Sequence, residues 1–140
     1  MISKQYLAGF TDGEGYISVN THKDIRTKRG FTLHPRIVLA STNKMLLNQI
    51  QEITKGKITL NTKTNGCKNV YVLIIQDLES ILSYIKHIKK YLIIKSEQAK
   101  LIHEYCILRL KNKNKGYSDR ELEIAEIFKT INKRGESQNT

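Results

Sequence analysis

The first strong pattern along the chain is alternation. Tyr16 to His22 switches apolar and polar positions with a period of two, Ile17 and Val19 on one side and Tyr16, Ser18, Asn20 and His22 on the other. Phe31 to Ser41 repeats it, with Leu33, Ile37 and Leu39 against Thr32, His34 and Arg36, and the basic, glycine-ended stretch Lys23 to Gly30 joins the two runs into a hairpin. Pro35 removes a ladder donor and marks an edge or a bulge. Lys57 to Lys63 and Lys68 to Ile75 flank Thr64-Asn65-Gly66-Cys67, whose Asn-Gly step signals a second hairpin. In its first strand Thr59, Asn61 and Lys63 share one side; in its second, Val70, Val72 and Ile74 alternate with Asn69, Tyr71 and Leu73.

Helical periodicity fills the remainder. Ser3 caps a short helix whose last turn is Thr11-Asp12-Gly13, ended by Gly13 and Gly15. Asn43 starts a helix through Thr54 stopped by Gly56, Asp77 caps one to about Tyr91, and Ser96 starts another to about Lys111. Asn112 to Gly116 reads as a linker whose lysines, with Lys111, are solvated or touch phosphates. Ser118-Asp119-Arg120-Glu121 then has capping-box form before the periodic Leu122, Ile124, Ile127, Phe128 and Ile131. The order αββαββααα implies an α+β domain over residues 1–133, with a four-stranded antiparallel sheet covered by helices on one face, and a disordered tail over 134–140.

Charge changes what the open sheet face means. The 140 residues carry 24 Lys+Arg against 13 Asp+Glu, a formal net charge of +11, so the expected partner is a polyanion. A polar sheet face is ordinarily just solvated. On so basic a chain, Tyr16, Ser18, Asn20, His22, Thr32, His34, Arg36, Thr59, Asn61, Lys63, Asn69 and Tyr71 become candidates for reading base edges in a major groove, although a strand tyrosine such as Tyr71 is more often partly buried structure. No stretch approaches the roughly 18 apolar residues of a membrane span. Cys67 and Cys106 match neither a zinc spacing nor a disulfide framework, and His22, His34, His87 and His103 show no ligand spacing, which excludes zinc-finger and His-Cys nuclease sites. Lys, Ile and Asn, whose codons are rich in A and T, make up roughly a third of the chain, which suggests an AT-rich genome. With the first helix starting so early, no room is expected for a leader peptide.

Against that positive background stands Leu7-Ala8-Gly9-Phe10-Thr11-Asp12-Gly13-Glu14-Gly15. It sets two carboxylates at a helix C-terminus, where the dipole disfavours acids. A divalent cation between those acids and a polyanion would turn repulsion into coordination. Ala8, Gly9 and Gly13 are small, and Gly9 and Gly13 lie four apart, so the helix can pack closely either inside its own domain or against a second copy.

This nonapeptide, the flanking alternation and Lys95-Ser96-Glu97-Gln98-Ala99 together resemble the LAGLIDADG homing endonucleases, over about residues 3–111. The resemblance implies the αββαββα fold with a saddle-shaped sheet on DNA, here with an extra C-terminal helix. One copy of the signature implies the homodimeric branch, with Ala8, Gly9, Asp12 and Gly13 at the dimer interface. It further implies that Glu14, in place of the usual aspartate, is catalytic and ligates Mg2+ (Mn2+ substituting) with the Gly13 carbonyl, and that Asp12 is structural. Lys95 would stabilise the transition state or contact the DNA backbone. Ser41 stands where relatives often carry a glutamine, with Lys44 nearby as a basic group or a plain solvated lysine. The implied activity is site-specific double-strand DNA cleavage leaving 3′ overhangs and promoting intron homing. The alternative is a splicing cofactor that binds intron RNA. The implied setting is an organelle genome or a prokaryotic cytoplasm.

Overall fold

The computed structural model describes residues 2–61 and 69–138, with side chains described as far as Asn132. The Asn65-Gly66 turn, Lys63 and Cys67 lie outside the described residues. The elements are α1 (Lys4–Glu14), β1 (Gly15–Lys23), β2 (Phe31–Ser41), α2 (Lys44–Thr54), β3 (Lys57–Asn61), β4 (Val70–Ile75), α3 (Leu78–Ile88), a 3-10 turn (Lys89–Tyr91), α4 (Ser96–Lys111) and α5 (Asp119–Gln138). The expected αββαββααα order is therefore observed. The caps explain the starts: Ser3, Asn43 and Asp77 side chains accept from the backbone N–H of Tyr6, Leu46 and Ser80. Ser118 Oγ accepts from Glu121 N–H while Glu121 Oε2 accepts from Ser118 N–H at 2.6 Å, the reciprocal pair its spacing announces.

Two helix ends differ from expectation. Gly13 does not end α1; the helix continues through Glu14, and Gly15 makes the turn into β1, where a Cβ would lie 2.6 Å from the Thr11 carbonyl. At its other end the chain stays helical to Gln138, past the boundary expected at Arg134. Lys133 and Arg134 are good helix formers, and a glycine such as Gly135 costs only about 1 kcal/mol within a helix.

The four strands form one antiparallel sheet in the order β1-β2-β4-β3. β2 pairs with β1 along its whole length but meets β4 only from Ile37 to Ser41. Its first half thus has a free edge. Leu33 donates its N–H across that edge to the Tyr117 hydroxyl at 2.9 Å, and Pro35, two residues on, points its missing donor the same way. Proline sits where no strand could use the bond.

Leu33, Ile37 and Leu39 of β2, Ile17 and Val19 of β1, and Leu73 and Ile75 of β4 form the buried face of the sheet, against Leu7, Leu47, Ile50, Ile81, Tyr84, Ile85, Ile102, Tyr105 and Phe128 from the helices. Cys106 lies in this core, its thiol pushed up to about 12 by burial. α5 packs along β1 and α4, with Ile124, Ala125 and Phe128 buried. Thr11, fully buried on α1, donates its hydroxyl to the Leu7 carbonyl at 2.7 Å and accepts from the Tyr84 hydroxyl at 2.8 Å. That bond fixes how α1 sits on α3.

Candidate nucleic-acid interface and acidic site

α1 has two unlike sides. Leu7, Ala8 and Thr11 face inward and are fully buried, whereas Gly9 and Gly13 are exposed, and a Cβ built on either would meet nothing within 4 Å. Ala8 therefore does not share the glycine face as the sequence suggested. Its phase was ambiguous because Leu7, Ala8 and Phe10 are consecutive or nearly consecutive apolar positions, and packing against the core decides it. Tyr6, 53% exposed, stacks on Phe10 with ring centroids 6.5 Å apart beside the open side.

The two acids have separate surroundings. Asp12 accepts from the backbone N–H groups of Ile93 and Lys95 at 2.8 and 2.9 Å, one on each carboxylate oxygen. Lys95 returns an ammonium to the Asp12 carbonyl, and so places a cation at the negative end of a helix whose own last turn has no basic residue. Burial draws the Lys95 amine below its ordinary value, opposed by the charges of Asp12 and Glu14. Glu14, one turn-end further on, is exposed, with no hydrogen bond or ion pair among the described residues. It opens onto a groove of about 500 Å³ shared with Tyr6, Phe10, Ser41, Thr42 and Asn43. The Ser41 hydroxyl accepts from Asn43 N–H at 3.0 Å and keeps its own proton available to a water or phosphate. Glu14, Lys95 and Ser41 are thus gathered around the end of α1. The loop from Leu92 to Lys95, tied there by Asp12, leaves Ile93 and Ile94 85% and 73% exposed, a feature hidden in the sequence between two helical patterns.

Among the described residues no group of three or more His, Cys, Asp or Glu could by itself hold a metal ion. One chain offers the Glu14 carboxylate and the exposed Gly13 backbone, hard oxygen donors of the kind Mg2+ takes, in a number that leaves most of an octahedron to be filled from elsewhere.

The open face of the sheet carries most of the polar positions expected there, with two differences. Tyr16, Asn20 and His22 of β1 register against Val38, His34 and Thr32 of β2, and Thr59 and Asn61 of β3 against Val72 and Val70 of β4. Asn69 is exposed just before β4. Ser18 shares this face but is only 2% exposed, opposite Arg36, and its hydroxyl donates to Asn20 Oδ1 at 2.7 Å. It orients Asn20 and does not reach outward. Tyr71 is on the other face: it is in phase with the buried Leu73 and Ile75, packs against the core and lies under Lys44, whose ammonium is 5.7 Å from the ring centroid. β4 is apolar on both faces, so periodicity could not choose between them. Register does.

The linker after α4 is folded back on the β1–β2 turn. Tyr117 lies between the guanidinium groups of Arg29 and Arg109, 5.3 and 4.9 Å from its ring centroid, and Arg29 also donates to the Tyr117 carbonyl. Lys28, Lys113 and Lys115 thereby converge around a cavity of about 400 Å³. Behind it Glu121, fully buried, meets Arg109 at 3.3 Å as an ion pair without hydrogen-bond geometry.

His22 and His34 stack on the open face with centroids 4.5 Å apart, and His34 Nε2 lies 2.8 Å from Thr32 Oγ1. Burial, then the charges of His22 and Arg36, hold His34 below its ordinary 6.5, with Asp24 opposing.

A sequence profile of the family described as LAGLIDADG endonuclease matches residues 7–108. The intron-encoded DNA endonuclease ai2b of Dictyostelium discoideum is 33% identical over 86 residues, which are 61% of this chain and 31% of that protein. The chain thus spans about a third of that relative. The archaeal intron-encoded homing endonuclease I-Vdi141I, solved in complex with DNA, superposes with a TM-score of 0.73 at 22% identity, over 91% of this chain and 82% of the other. The homing endonuclease I-CvuI, solved on the I-CreI target with Mg and the DNA uncleaved, gives 0.70 at 20% identity, over 92% and 79%. At such identities the likeness is one of fold.

The lowered His34 value has a signed consequence. The native state binds fewer protons than the unfolded chain, so the stability held above the unfolded value near 6.5 is lost as pH falls through the folded value. Urea midpoints measured from pH 7 down to 5 should fall less in His34→Asn than in the parent.

Proposed function

Because the chain belongs to the LAGLIDADG endonuclease family, we propose that it is a site-specific DNA endonuclease that acts as a homodimer on a long pseudo-palindromic duplex. The observation that carries this reading is the bare glycine face of α1 with Glu14 at its end, unpartnered among the described residues. Two copies related by a twofold axis would close Gly9 and Gly13 on each other and bring both Glu14 carboxylates together near that axis. Exposed Tyr6, Ile93 and Ile94 add apolar surface beside the same seam. Paired carboxylates repel unless cations lie between them, and phosphates on opposite strands across a minor groove supply the remaining oxygens.

In this reading Glu14 and the Gly13 carbonyl hold Mg2+, with Mn2+ as a substitute. Bound there, the metal supplies Lewis-acid polarisation of the phosphate and a more acidic water. The protein's own groups do the rest. Lys95, partly buried and braced by Asp12, faces the developing negative charge of the phosphoryl centre, a better use of a half-desolvated ammonium than an outer backbone contact. Ser41 orients water from across the groove, in the place where relatives often carry a glutamine. The sheet's open face lies in the major groove, and Lys28, Lys113 and Lys115 neutralise flanking phosphates. Cutting each strand across the minor groove leaves 3′ overhangs, and the break promotes homing of the host intron.

Glu14→Gln should abolish cleavage in Mg2+ and leave duplex affinity in Ca2+ nearly intact, as gel-shift and cleavage assays of one preparation would show; unchanged cutting would remove Glu14 from the chemistry. Gly9→Leu fills open space in the isolated chain, and replaces a poor helix former, so its melting should be unchanged or raised while dimer formation and cutting are lost together. A dimer that persists in sedimentation would place the seam elsewhere.

A further inference from the structure

The open face of the sheet changes character along its length. Away from Glu14 it presents Asn20, His22, His34 and Arg36, all able to donate or accept. Toward Glu14 the same face presents Val38 and Ala40 from β2 and Val70, Val72 and Ile74 from β4, with Val38 opposite Ile74 and Ala40 opposite Val72. All five are partly buried but reach solvent. None belongs to the core cluster or packs against it. High strand propensity accounts for β-branched residues in a strand, but threonine meets that preference while wetting the surface, as Thr59 does opposite Val72. A sheet face that meets only water is commonly polar at such positions, and five contiguous apolar residues depart from that pattern.

We infer that this patch reads the C5-methyl groups of thymines, and so makes A·T pairs close to the cleavage centre a determinant of target choice. The inference rests on the duplex-binding reading above and narrows the substrate. Val38, Val72 and Ile74 have no donor or acceptor, so they can read no base edge by hydrogen bonding. The apolar feature a major groove offers is the thymine methyl. The patch is continuous with the polar positions on the same strands, and a net charge of +11 holds the face against a polyanion. Residue usage supplies an independent line. Abundant Lys, Ile and Asn mark an AT-rich coding sequence, and a protein that recognises DNA of its own genome meets thymine often.

The test uses the full chain and a duplex that it selects from a randomised pool, resynthesised with deoxyuridine in place of thymine at one position at a time. Affinity is measured in Ca2+. Loss of one buried methyl should weaken binding about fourfold at adjacent inner positions of each half-site and leave the outer positions facing His22 and His34 unaffected. Ile74→Ala should erase part of that difference, binding the thymine and deoxyuridine duplexes more nearly alike. Unchanged affinity at every thymine, or losses confined to outer positions, would overturn the patch. Failure to retain any duplex from the pool would overturn the endonuclease reading on which it rests.

Discussion

The structure turns on the way α1 ends. A helix C-terminus repels carboxylates, yet this one carries two, and the fold treats them in opposite ways. Asp12 is used up internally: both oxygens take backbone N–H groups from the loop before α4, and the same loop returns the Lys95 ammonium to the helix end. Glu14 receives no such partner. Thr11 and Tyr84 lock the inner side of the helix, the Tyr84 hydroxyl pushed up to about 12 by burial, while Gly9 and Gly13 leave the outer side bare. One side of α1 thus belongs to the domain and the other is left unfinished.

On the proposed reading, that division leaves the acidic site incomplete in a single chain. Glu14 and Gly13 present oxygens suited to a hard cation but too few to enclose one. On the proposed reading a second copy and a phosphate backbone supply the complement, and the +11 charge favours the backbone over any neutral surface. α5 covers β1, and its Asn132 reaches the hydroxyl of Tyr16 at 3.4 Å, so the edge strand that follows the acidic turn is held from both sides.

Much of this was legible in the residues. Caps and alternation carry the element order, because N-cap side chains and period-two patterns are local properties; the Ser118–Glu121 pair is the clearest case. Ala8 and Tyr71 lie on faces other than their spacing suggests, for one common reason. Where apolar residues occupy both phases, as in Leu7-Ala8 and in Val70 to Ile75, only tertiary packing or strand register breaks the tie. Ser18 was placed on the correct face but not its burial, which depends on the cross-strand neighbour Arg36. The folded-back linker around Tyr117 and the exposed pair Ile93-Ile94 have no periodic signature at all, since long-range contacts create both.

On the proposed reading, α1 is completed by a second copy on DNA. Sedimentation of the chain with a duplex it binds in Ca2+ would weigh the complex most directly. Two chains per duplex is the expected composition; one chain per duplex, with strand cleavage on addition of Mg2+, would contradict the account.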